Sequence, residues 1–85
     1  MEIILWDLDL NRVAEISRNL RLALKEADMK ANLIIMSEPP LISRMNLTHR
    51  VPILEIEGEY WSLRPGETIT KKQCSQLLNI LSRRS

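Results

Sequence analysis

Short, nearly continuous apolar runs alternate along the chain with stretches in which apolar residues recur every three or four positions. The first run, Glu2-Ile3-Ile4-Leu5-Trp6, is rich in β-forming residues and predicts a strand buried on both faces. From residue 10 to residue 28 the positions Val13, Ile16, Leu20, Ala23, Leu24 and Ala27 keep helical spacing, with Arg18, Arg21 and Lys25 on the opposite side. That pattern predicts an amphipathic helix. Asp9 or Asn11 can cap it, because either side chain can accept from the unpaired amides of the first turn. Asp28 marks its end. Ala31-Asn32-Leu33-Ile34-Ile35-Met36 predicts a second buried strand, and a strand, helix, strand order with few connecting residues gives a right-handed unit with parallel strands.

Ser37-Glu38-Pro39-Pro40 interrupts this pattern. Two prolines forbid a strand but suit the entry and first turn of a helix, so a short helix is expected over residues 40–45, with Asn46 in the left-handed terminating position. Residues 47–50 then return the chain to the sheet. In Arg50-Val51-Pro52-Ile53-Leu54-Glu55-Ile56-Glu57-Gly58 a proline opens an apolar strand and a tight turn closes it. A proline cannot donate to a ladder and belongs at a strand's first residue or at an edge, and the Val51–Pro52 peptide is a candidate for the cis form. Residues 60–63 form the antiparallel fourth strand of the hairpin, ended by Pro65-Gly66. If that strand is a sheet edge, an exposed aromatic from Tyr60 or Trp61 can seed a homodimer or receive a partner's strand. Thr70-Lys71-Lys72-Gln73 fits a capping box, and Cys74, Leu77, Leu78 and Leu81 give the last helix one apolar stripe.

Composition narrows the function classes. Eighty-five residues, 45% of them hydrophobic, make one domain, 1–85, in which nearly every element must supply an apolar face. Twelve Lys and Arg against eleven Asp and Glu leave a net charge of +1, so no global field draws in nucleic acid or an acidic membrane. The single cysteine, Cys74, excludes an intramolecular disulfide and a multi-cysteine zinc site and fits a reducing, cytoplasmic compartment. No secretory signal or membrane-length run is read. Without such a signal, the glycosylation pattern Asn46-Leu47-Thr48 is taken as chance.

The β-α-β-α-β-β-α order, with Pro52 opening the third strand and a hairpin after it, resembles the thioredoxin-like fold, an α/β architecture with a four-stranded mixed sheet flanked by helices. Leu5-Trp6-Asp7-Leu8-Asp9-Leu10-Asn11-Arg12-Val13 stands where thioredoxins carry a strand ending in an aromatic, a short turn, and Cys-x-x-Cys at the head of the first helix. Arg50-Val51-Pro52 and Glu57-Gly58 are similar to the Thr-Val-Pro segment and Asn-Gly hairpin of glutaredoxins. On this resemblance Leu10 and Val13 occupy the two cysteine positions, which removes both nucleophilic and resolving thiols. Cys74, on the apolar stripe of the last helix, reads as a structural thiol.

Two further patterns bear on chemistry. Asp7-Leu8-Asp9 after an apolar strand also resembles the first motif of haloacid dehalogenase-like phosphatases, with a nucleophilic aspartate, a general acid and magnesium. The chain departs from that motif at Leu10-Asn11 and lacks the later acidic pair, and the plainer reading is a helix cap with a solvated turn. His49 is the only histidine, and no motif-marked nucleophile accompanies it. Arg12 and Arg50, set by the resemblance near the helix N-terminus and the Val51–Pro52 corner, can together favour an anion or a partner's carboxylate. The alternative is that both are solvated, or paired to Asp9 or Glu38.

The resulting expectation is a redox-inactive, non-catalytic thioredoxin-like domain with no metal or cofactor. It binds a protein or peptide at the Val51–Pro52 corner through Asp9, Leu10, Asn11, Arg12, Val13, Arg50, Val51 and Pro52, the corner's backbone groups being free for an extended chain. The alternatives are a glutathione- or small-anion-binding protein or degenerate thiol-transfer enzyme using the same pocket, and a homo-oligomeric assembly protein.

Overall fold

The strand β1 (Glu2–Trp6) lies inside the sheet with a partner on each side, which is why four of its five residues are apolar. A computed structural model of the chain describes residues 1–83. After β1 come α1 (Leu10–Glu26), β2 (Asn32–Met36), α2 (Pro39–Arg44), β3 (Ile53–Ile56), β4 (Glu59–Trp61) and α3 (Lys71–Arg83). The sheet order is β2-β1-β3-β4. β1 and β2 are parallel, whereas β3 runs antiparallel to β1 and β4 antiparallel to β3. The result is an α/β architecture on a four-stranded mixed sheet.

Side-chain alternation divides the core between the two faces of this sheet. Ile3 and Leu5 of β1 and Leu54 and Ile56 of β3 meet α1 and α3, where Ile16, Leu20, Cys74 and Leu78 are buried. On the other face Trp6 and Ile53 meet Ile42 of α2 together with Leu47 and Val51. The Trp6 indole N–H donates to Glu55 Oε1 at 2.9 Å, giving a mostly buried ring a partner for its polar edge.

The helix ends follow local chemistry. Asp9 caps α1 by accepting from the Asn11 and Arg12 amides at 3.0 and 3.1 Å, which decides between the two capping candidates. Thr70 and Gln73 exchange reciprocal bonds, Gln73 N–H to Thr70 Oγ1 at 3.1 Å and Thr70 N–H to Gln73 Oε1 at 2.9 Å, forming the expected capping box. Glu57 (φ 52°) and Gly58 (φ 82°) both take left-handed backbone in the β3–β4 turn, the geometry that matches a two-residue hairpin to the twist of its strands. Asn46 is left-handed at φ 60°, and the Val51–Pro52 peptide is cis.

Several sequence expectations shift. α1 stops at Glu26, with Asp28 (φ 54°) beyond its end. α2 runs one residue earlier at both ends than expected, because Pro39, which needs no amide partner, fits the first helical position. β4 is Glu59–Trp61 instead of residues 60–63, since the chain leaves the ladder to cross the end of the sheet. Most consequentially, β2 is an edge strand. It begins at Asn32, not Ala31, and its central Ile34 and Ile35 are 37% and 43% exposed. An apolar run identifies a strand but does not reveal how many neighbours the strand has.

No helix among the described residues is long and apolar enough to cross a membrane. Cys74 is fully buried against α1 and the sheet, and burial pushes its thiol up to about 11. Only a trace of thiolate is therefore present near pH 8. Alkylation of the native chain by iodoacetamide at that pH should be at least about a hundredfold slower than in denaturant. Equal rates, followed by mass spectrometry, would show that the last helix does not cover this thiol.

Candidate functional site

The antiparallel register Trp6↔Ile53 carries the turn after β1 and the loop before β3 to the same end of the sheet. The loop from β4 to α3 crosses that end and joins them: the Gly66 N–H donates to the Val51 carbonyl at 2.9 Å, and the Ser62 hydroxyl donates to the Arg50 carbonyl at 2.8 Å. Between the three segments lies an open cleft of about 590 Å³. Leu8, Asp9 and Arg12 line one side, Thr48, His49 and Val51 another, and Pro65 and Gly66 close it.

Beneath this cleft is a buried ion pair. The Asp7 side chain is fully buried and that of Arg12 is 18% exposed. Arg12 grips the carboxylate with two nitrogens, Nε to Oδ2 and Nη2 to Oδ1, each at 2.6 Å, the bidentate geometry that a planar guanidinium favours. Oδ1 also accepts from the Leu8 amide at 2.8 Å and the Asp9 amide at 3.4 Å. The remaining arm of the guanidinium, Nη1, donates to the Gly66 carbonyl at 2.8 Å. Hydrogen bonding to Asp7 holds Arg12 above its ordinary value; burial opposes that shift, and the charges of Asp7 and Asp9 add to it.

These contacts correct several expectations. Arg12 is neither solvated nor paired to Asp9 or Glu38; its partner is Asp7, which sequence reading placed in a solvated turn. A phosphatase-type nucleophile needs an approachable carboxylate, whereas Asp7 is inaccessible with both oxygens engaged. The first-turn amides of α1 that would meet an anion are already met by Asp9. The Val51 carbonyl, expected to be free for an extended chain, is taken by Gly66.

Of the residues singled out in the sequence, Asp9, Arg12 and Val51 share the cleft. Leu10 is 69% exposed at the head of α1, Val13 is in the core, and Pro52 is fully buried. Asn11 contributes its amide to the cap. Arg50 is exposed, and its carbonyl holds Ser62. Sequence reading passed over Asp7 as a structural anchor and Gly66 as the distant partner of Arg12. Asp7 carried a signal, an acid directly after a buried strand and five residues before an arginine. Gly66 carried none, because its role depends on a loop closing from across the sheet.

No group of three or more His, Cys, Asp or Glu side chains among the described residues is placed to hold a metal ion, and the chain's one thiol is in the core. No family, curated protein or solved structure matches the chain.

Removing Arg12 would leave a buried carboxylate unpaired. Arg12→Ala should cost about 3–5 kcal/mol in urea unfolding, because the carboxylate it leaves behind is fully buried. A loss below about 1 kcal/mol would mean that water reaches Asp7 in the variant. Gly66 has φ +82° with open space around its missing Cβ, so Gly66→Ala meets only the backbone penalty, about 1 kcal/mol in the same measurement. A stability unchanged from the parent would show that this loop conformation is not held in solution.

Proposed function

We propose that the chain is a thioredoxin-like domain without thiol chemistry that binds a protein or peptide at the cleft beside the Val51–Pro52 corner. The fold assignment is supported by the β-α-β-α-β-β-α element order and the strand order β2-β1-β3-β4 with β1 and β2 parallel. Leu10 and Val13 stand at the head of α1, where that fold places its reactive cysteines.

The observation that carries the binding assignment is the apolar rim of the cleft. Leu8, on its wall, is 37% exposed, and Leu10, two residues on and outside the cleft lining, is 69% exposed. Exposed apolar side chains beside a concave polar surface with Thr48 and His49 suit a peptide, whose own apolar residue is withdrawn from water on contact. Glutathione or another small anion has less to hold it here, since the guanidinium in the cleft is neutralised by Asp7 and the helix amides by Asp9. The corner's occupied carbonyl moves recognition from backbone pairing at Val51 to the side chains on the rim.

Panning a displayed random-peptide library against the chain tests this directly. Enriched peptides should lose about tenfold in affinity, or more, for the doubly substituted Leu8→Ser, Leu10→Ser chain, with its circular dichroism unchanged. Glutathione or phosphate at millimolar concentration should not displace them. Failure to enrich any peptide, or equal affinity for the substituted chain, would overturn the assignment.

A further inference from the structure

The edge strand β2 is built unlike a guarded edge. Natural edges are blunted by charge, proline, a bulge or extreme shortness. β4, the opposite edge, has three residues including Glu59. β2 has five, Asn-Leu-Ile-Ile-Met, paired without a break along β1 and carrying no charge.

Its backbone directions follow from two bonds. The Asn32 N–H donates to the Met1 carbonyl at 2.9 Å, and the Met36 carbonyl accepts from the Asp7 N–H at 3.1 Å. Alternation in a parallel ladder then turns the polar groups of Asn32, Ile34 and Met36 toward β1 and those of Leu33 and Ile35 outward. In an antiparallel pairing of two such edges, hydrogen-bonded positions must be outward-facing on both strands. A twofold axis through Ile34 meets this condition, with Leu33 of one copy opposite Ile35 of the other, in both directions. Carried two residues past each end of β2, the same register sets Lys30 against Glu38 at both ends. Neither residue has a salt bridge within the chain among the described residues. Glu38 is already extended, at φ −84° and ψ 117°.

We infer that β2 is a self-pairing edge: two copies of the chain join antiparallel about Ile34 into one continuous sheet, registered by Lys30–Glu38 pairs. The axis is perpendicular to the sheet, so α1 of both copies stays on one face and α2 on the other. Ile34 meets its own symmetry mate, and the exposed Ile35 lies beside Leu33 of the second copy, so the exposed apolar surface is covered together with the unpaired backbone. An isologous contact of this kind closes at two chains. It is independent of the peptide cleft, which lies at the end of the sheet and does not include β2.

Sedimentation equilibrium of the full chain from about 1 µM to about 1 mM should show a monomer–dimer equilibrium. Lys30→Glu or Glu38→Lys alone puts like charges face to face at both ends and should weaken self-association about tenfold or more. An equimolar mixture of those two variants should recover it as a heterodimer, because each then meets the opposite charge. Hydrogen exchange should slow at the Leu33 and Ile35 amides as concentration rises, while the Ile34 amide, already bonded to β1, changes little. Ile34→Lys, at an exposed position, should hold the chain as a folded monomer. A parent that stays monomeric throughout, a dimer indifferent to both charge variants, or a mixture that fails to associate would overturn the inference.

Discussion

The buried contact between Asp7 and Arg12 is the constraint on which this end of the molecule depends. A carboxylate excluded from water is tolerable only when its charge is matched and its lone pairs are met, and Asp7 has a two-toothed guanidinium and two backbone amides. Satisfying that carboxylate sets the path of the turn from β1 into α1. Asp9 is then in place as the helix cap, and Leu8 and Leu10 lie on the outer surface. The third arm of Arg12 reaches Gly66, which ties the β4–α3 loop to the same anchor and brings its amide onto Val51. One ion pair thereby joins three chain segments that are far apart in sequence.

This arrangement also separates structural charge from charge available for function. A surface arginine near a helix N-terminus is ordinarily a ready ligand for anions. Here the chain's own carboxylates occupy both parts of such a site, Asp7 on the guanidinium and Asp9 on the amides. The cleft above them is lined by Leu8, Val51 and Pro65 beside an arginine whose charge is matched within the chain. The proposed peptide binding rests on that neutralisation and on the exposed Leu8.

The two sheet edges show how one fold can treat the same hazard differently. β4 is short and carries an acidic residue. β2 is longer, uncharged, and flanked by a lysine at one end and a glutamate at the other, neither in a salt bridge among the described residues. Both are the outer strands of the sheet, yet among the described residues the self-complementary arrangement of backbone directions and flanking charges is found at β2. The proposed association at β2 and the proposed peptide binding at the cleft use different surfaces, so the two are compatible.

The identity and order of the elements were legible in the sequence because they rest on local physics. Period-two and near-continuous apolar runs mark strands, three-and-four spacing marks helices, and Asp9, Thr70, Gln73 and Gly58 act through neighbours only a few residues away. Cys74 could be placed in the core from its stripe alone. Long-range geometry decided the rest. Whether Ile34 and Ile35 sit inside the sheet or at its rim depends on how many strands flank β2, which their own apolarity does not encode. Whether Arg12 faces solvent or a buried aspartate depends on a turn that points Asp7 inward, and the Val51 carbonyl is occupied only because a loop beginning beyond β4 crosses the end of the sheet. The sequence by itself therefore determined the elements and their capping, and the tertiary structure decided which polar groups remain open to a partner, because that availability is set by contacts between segments distant along the chain.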